Sequence, residues 1–185
     1  MNKLFITFIL LIVNIICYSQ VDETDSYKTE EVFRLNFLNP GVEYEMPTGT
    51  YSTFSAGLGV GYGGSYPDLS DKESSGLIYM IAPFLDLQHK WYYNLEKRLS
   101  KNKSISNNSG NFISARFLTR GHSIADNLDR TSNFDFAVMP TWGLQRSYND
   151  KFHLLFDIGS LYYFDSKGNG NFFPIMFQIN LGFDF

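Results

Sequence analysis

Ten ionisable or amide side chains sit at alternate positions within otherwise apolar runs: Arg34, Glu43, Glu45, Asp86, Lys90, Arg116, Asp135, Asp157, Gln178 and Asn180. With a spacing of two, such residues share one face of an extended chain. Carboxylates and cations on a common face could form an ion path or a paired-carboxylate site. They could also neutralise one another as an enclosed polar plug, because charges removed from water persist only when paired and hydrogen-bonded. The plug is the reading adopted. His122-Ser123 sets a base beside a hydroxyl. On an extended chain, adjacent side chains point to opposite faces, which works against the hydrogen bond that activates a nucleophile. His89, His122 and His153 have no zinc-ligand spacing. Asp126-Asn127-Leu128-Asp129 lacks the glycine and final glutamate of a calcium loop. No metal, cofactor or catalytic residue is assigned. Lys97, Arg98, Lys101 and Lys103, tempered by Glu96, form a basic patch that suits either lipid or cell-wall phosphates or a solvated turn. Gly57, Gly59, Gly61, Gly63 and Gly64 do not make a nucleotide loop. They alternate along a strand, where small inward residues leave room for bulky partners.

The elements that must position these residues show a period of two. Phe33, Leu35 and Phe37 alternate with Arg34 and Asn36. After Asn39-Pro40-Gly41 the apolar set becomes Val42, Tyr44 and Met46, against Glu43 and Glu45. This parity switch requires a bulge or a hairpin, and Asn-Pro-Gly is good turn chemistry. Further alternating runs cover about 51–62, 77–93, 113–118, 134–145, 152–162 and 175–185. On their apolar faces lie Phe54, Leu58, Leu85, His89, Trp91, Ile113, Phe117, Phe136, Trp142, Phe156 and Ile158. Most runs are about 10 to 16 residues long. Soluble strands average about 5 or 6, whereas a tilted membrane strand needs about 9 to 11. Only Tyr92 to Leu99 suggests a helical turn.

The start of the chain reads as an export signal over residues 1–19. Lys3 precedes an apolar run from Leu4 to Ile16, too short to span a bilayer as a helix, and cleavage follows Ser19 or Gln20. Residues 20–31 read as a flexible, acidic lead-in and 32–185 as one domain. Cys17 lies in the signal, so a processed chain has no thiol. The signal holds one lysine and no acid, so its loss takes the formal charge from −4 to −5. A mildly acidic chain without a basic tract gives no reason to propose nucleic acid as a partner. Eighteen Phe, 12 Tyr and 15 Gly favour strands and turns. Mean hydropathy is slightly negative, as expected where only alternate residues face lipid.

In hydrocarbon every backbone polar group needs a protein partner, which only helices and closed barrels provide. The expected fold is therefore all-β: an antiparallel, up-and-down transmembrane β-barrel. Seven runs are clear, and splitting the first at Asn39-Pro40-Gly41 gives the even number usual in bacterial barrels, eight. An even count puts both chain ends on the periplasmic side. Residues 64–76, 121–132 and 166–171 then face outside, and 47–50, 94–110 and 147–151 are periplasmic. The girdle candidates are Tyr62, Trp91, Tyr93, Trp142, Tyr148, Tyr162, Phe172 and Phe185. A barrel this small is just filled by side chains, which argues against a wide pore. Expected partners are outer-membrane lipids and lipopolysaccharide. A monomer is expected.

Leu35 to Glu45 (Leu-Asn-Phe-Leu-Asn-Pro-Gly-Val-Glu-Tyr-Glu) and Trp91 to Arg98 (Trp-Tyr-Tyr-Asn-Leu-Glu-Lys-Arg) resemble small, uncharacterised outer-membrane β-barrel families of Gram-negative bacteria. These have an OmpA/OmpX-like eight-stranded architecture. The signal ending Tyr-Ser-Gln is similar to those of proteins exported in one large Gram-negative group. Phe177, Ile179, Leu181, Phe183 and Phe185 resemble the C-terminal signal read by the barrel-assembly machinery. The resemblance implies a location in the cell outer membrane and a structural or ligand-binding role, without specifying an activity. His122-Ser123 also resembles, in residue type, the His-x-Ser base and nucleophile of barrel-type lipid A deacylases, but here the two residues are adjacent. A lipid A-modifying enzyme is the alternative reading.

Overall fold

The computed structural model describes residues 28–63, 79–127, 130 and 132–185. The expected signal and the whole of the 64–76 loop lie outside the described residues. The strands are β1 (Val32–Asn36), β2 (Gly41–Gly49), β3 (Ser52–Gly63), β4 (Met80–Tyr92), β5 (Asn111–Arg120), β6 (Ala125–Asp126), β7 (Asp135–Tyr148), β8 (Phe152–Asp165) and β9 (Gly170–Asp184). All pairings are antiparallel. Eight strands form a ring in the order β1-β2-β3-β4-β5-β7-β8-β9, which closes where β9 returns to β1 with Arg34 opposite Asp184. The two-residue β6 adds to β4 at Met80 and Ile81.

The Asn39-Pro40-Gly41 punctuation makes a hairpin: β1 and β2 pair from Asn36↔Gly41 to Val32↔Glu45. The parity switch thus marks two strands, which brings the ring to eight. The described chain enters and leaves at one end of the ring, here called the base. The β2–β3 and β7–β8 turns and the long 93–110 connection also lie there.

Pro83 and Pro140 keep the register of the wall, but irregularities fall beside Pro47 and Pro174, where a closed ring has no edge on which a missing N–H is harmless. The register shifts between Pro47 and Gly49, opposite Ser52. It shifts again in β8–β9, where Gly159 faces Met176 but Leu161 faces Phe173. The extra residue on β9 is a bulge at Pro174 and Ile175. It lets β9 run back to Gly170, beyond the start near Ile175 expected from alternation, and it moves the inward set from even to odd numbers.

The 93–110 connection crosses the base. It contains α1 (Leu95–Leu99) and a 3-10 turn over Ser106–Asn108. Tyr92, Leu95, Phe112 and Leu155 pack together there, with Ile105 against them. Thr29 and Glu30, assigned from sequence to a flexible lead-in, are held at the same end. Thr29 Oγ1 donates to Gly49 O at 2.8 Å, and Glu30 N donates to Asn108 Oδ1 at 2.6 Å. Asn108 Nδ2 donates back to Glu30 O at 2.8 Å, so backbone groups that water would otherwise satisfy are bound by protein.

Candidate functional site

All ten side chains singled out from the sequence lie on inward-facing positions of the ring, and two groups of them meet. Toward the base, Arg34 is the hub. Its Nε donates to Asp184 at 2.9 Å, and its Nη1 contacts Glu43 at 3.1 Å and also Glu45. Lys90 Nζ lies 3.3 Å from Glu43, 3.2 Å from Glu45 and 2.9 Å from Gln145 Oε1. Glu45 also accepts from Thr53 at 2.5 Å and from Tyr92 OH at 2.8 Å. Arg34, Glu45 and Lys90 are each 0% exposed. Such enclosure is tolerable because each charge has both an opposite partner and further hydrogen bonds. The connection across the base joins this network: Asn107 O accepts from Arg34 Nη2 at 3.2 Å and from Gln145 Nε2 at 3.1 Å.

Farther from the base, Arg116 clamps Asp86, with Nε at 2.8 Å and Nη2 on the second oxygen. It also reaches Gln178 and lies 3.7 Å from Asp157. Gln88 links Asp157, at 3.4 Å, to Ser114, at 2.8 Å. Asp135 stands apart from both groups, with Arg130 Nη2 on one oxygen at 2.8 Å and Tyr163 OH on the other at 2.9 Å. Asn180 is buried, with its side chain turned back to accept from Leu181 N at 3.0 Å.

Several members of these networks escaped the sequence reading. Asp184 and Gln145 were visible on the inward parity of their strands. His153 is buried with Nδ1 3.3 Å from Asp184 Oδ1. Arg130 and Asn107 lie in connections, where no period announces them.

The expectation of an interior filled by side chains holds only near the base. The rest of the ring encloses a cavity of about 600 Å³. The physical reason is the run of small inward residues along its walls, including Ser55, Gly57, Gly61, Ala137 and Gly159. One bulky partner does cover the glycines: the Phe84 ring lies where a Cβ on Gly59 or Gly61 would go, at 2.9 and 3.1 Å.

The outer face carries the apolar parity. Ile175 is 70% exposed, Phe177 68% and Phe185 71%; Phe33, Leu58, Ile113, Ile158 and Ile179 are exposed as well. Trp91, Tyr93, Trp142 and Tyr148 are exposed too, and Trp142 Nε1 donates to Tyr93 OH at 2.7 Å. His89 stacks on Trp91 at 4.3 Å. Tyr162 and Phe172 pair at the end away from the base.

His122 and Ser123 do not face one another. The Ser123 hydroxyl donates to the Asp126 carboxylate, and His122 Nδ1 lies 2.7 Å from Ser123 O. The basic patch surrounds a shallow pocket at the base, lined by Lys97, Arg98, Lys101, Lys103 and Arg146 with Asn94 and Asn111. No family model, curated protein or solved structure matches the chain.

Proposed function

We propose that this chain is a small β-barrel of a Gram-negative outer membrane, exported by its N-terminal signal, with a structural or ligand-binding role and no wide pore. One observation carries the reading: the closed ring is inside-out, with fully buried Arg34, Glu45 and Lys90 enclosed and a continuous apolar surface outside. Soluble proteins rarely expose apolar patches on this scale, whereas a lipid-embedded barrel requires them.

The aromatic positions support the same reading. From Phe152 to Tyr162, β8 covers roughly 33 Å of strand. At a tilt of about 40° that is about 25 Å of membrane, the height of an outer-membrane apolar band. The packed polar network and the connection across the base support the absence of a wide pore. With both chain ends at the base, that end would face the periplasm, and the C-terminal aromatic alternation would serve recognition by the assembly machinery.

Fractionation tests the location. The protein should stay with outer membranes through high-salt and alkaline washes, and should migrate faster on a gel before heating than after. Release by alkali, with no heat-dependent shift, would instead indicate a soluble ring.

A further inference from the structure

Within the cavity, Arg120 differs from every other cation of the interior. Arg34, Lys90, Arg116 and Arg130 all have carboxylate partners. Arg120 is half-buried, lines the cavity, and makes no hydrogen bond or ion pair among the described residues. Its natural partner is Asp135, directly opposite on β7. Asp135 attracts Arg120 electrostatically, but its two oxygens make their hydrogen bonds to Arg130 and Tyr163. A guanidinium that opens onto the cavity and donates no hydrogen bond among the described residues is an anion acceptor.

The surroundings of Arg120 define the rest of the ligand. Phe84 is its neighbour across the β4–β5 pair, and Leu118 lies two residues along β5 on the same face. Met139, Leu161, Phe173 and Met176 continue the apolar wall. The volume of about 600 Å³ falls within the range of about 300–1,000 Å³ usual for small-molecule sites; the carboxylates that also line it, Glu43, Asp86, Asp135 and Asp157, are each held by a cation other than Arg120.

We infer that the cavity binds a small organic anion with an apolar body, its carboxylate or phosphate on Arg120 and its hydrocarbon against Leu118, Met139, Leu161, Phe173 and Met176. The inference deepens the ligand-binding side of the reading above and rests on it. An anion without an apolar body would gain only the guanidinium. An apolar molecule without charge would leave those donors unmet, and a buried unmet donor is costly.

The methionines report occupancy directly. Met139, which is buried, and Met176, which is 42% exposed, line the cavity, while Met46 lies on the outer face. The full chain, carrying 13C-labelled methionine methyl groups and folded in neutral detergent, is titrated with octanoate, octanol and inorganic phosphate. Octanoate should shift the Met139 and Met176 signals saturably and leave Met46 unmoved. Octanol and phosphate should leave all three in place. In Arg120→Gln, octanoate should bind roughly tenfold more weakly or worse, as loss of a charge-assisted bidentate contact implies.

Several results would overturn the inference: silent cavity methyl groups, equal responses to octanoate and octanol, a response to phosphate alone, or unchanged binding in Arg120→Gln. Gel mobility before and after heating, read on the same samples, reports barrel closure separately. A heat-shifting protein with silent methyl groups counts against the ligand site alone. An octanoate response without a heat shift counts against the barrel alone.

Discussion

Arg34 neutralises three carboxylates at once, so its removal exposes what the enclosed network depends on. Arg34→Met would leave Glu43, Glu45 and Asp184 with only Lys90, which reaches the first two, and with His153 beside the third. Breaking a buried pair from one side costs about 3–5 kcal/mol. We expect a loss of that size in the urea unfolding of the folded protein. Adding Glu45→Gln should recover part of it, because the second change removes the charge that the first stranded. An unchanged unfolding midpoint in Arg34→Met would mean that water reaches these carboxylates. At this scale the sequence was informative wherever a charge interrupts an apolar alternation, as with Glu43, Glu45 and Lys90. It could not show that Arg120 makes no hydrogen bond among the described residues, because that depends on Arg130 arriving from a connection to bond Asp135.

The long strands were legible because they keep their period over most of their length, and the Asn39-Pro40-Gly41 hairpin, which bounds the five-residue β1, followed from its parity switch. Two features were hidden. The bulge at Pro174 restores strand pairing after a break that alternation alone reads as an end. The 93–110 connection has no period, yet Asn107 and Asn108 take left-handed φ values of 52° and 61° and turn their polar groups onto the base. Asparagine adopts that conformation more readily than most residues. Asn108→Ala removes both hydrogen bonds to Glu30 and should destabilise the folded state by about 1–3 kcal/mol, with faster hydrogen exchange at the Glu30 amide. Unaltered exchange there would mean that Glu30 is held by other contacts. The glycines of β3 make a sharper comparison on one face of one strand. A Cβ on Gly59 would sit 2.3 Å from Pro40 O and 2.8 Å from Gly41 Cα, whereas one on Gly57 would meet nothing nearer than 3.7 Å. Gly59→Ala should therefore cost about 1–3 kcal/mol by overpacking, and Gly57→Ala little. Equal unfolding midpoints for the two variants would contradict the close approach of β2 to β3.

On the scale of the whole molecule, what matters is which solvent the outer face meets, since the same ring of strands could stand in water only if that face were polar. β9 contains the comparison that separates the two cases. Phe177 lies near its middle and Phe185 just beyond its end at the base, and the two are almost equally exposed, 68% and 71%. In water, arginine at either position would be nearly neutral and would improve solubility. In a bilayer the cost depends on depth: about 2–4 kcal/mol at the midplane and about 0–1 near the interface. Phe177→Arg should therefore destabilise the protein folded into lipid vesicles by at least 2 kcal/mol on that scale, as read by urea titration, while Phe185→Arg should fall within about 1 kcal/mol of the unsubstituted protein. The contrast relies on position, because exposure and residue type are shared. If both variants behaved alike, the outer face would not be graded by depth, and the apolar surface of this ring would require a partner other than lipid.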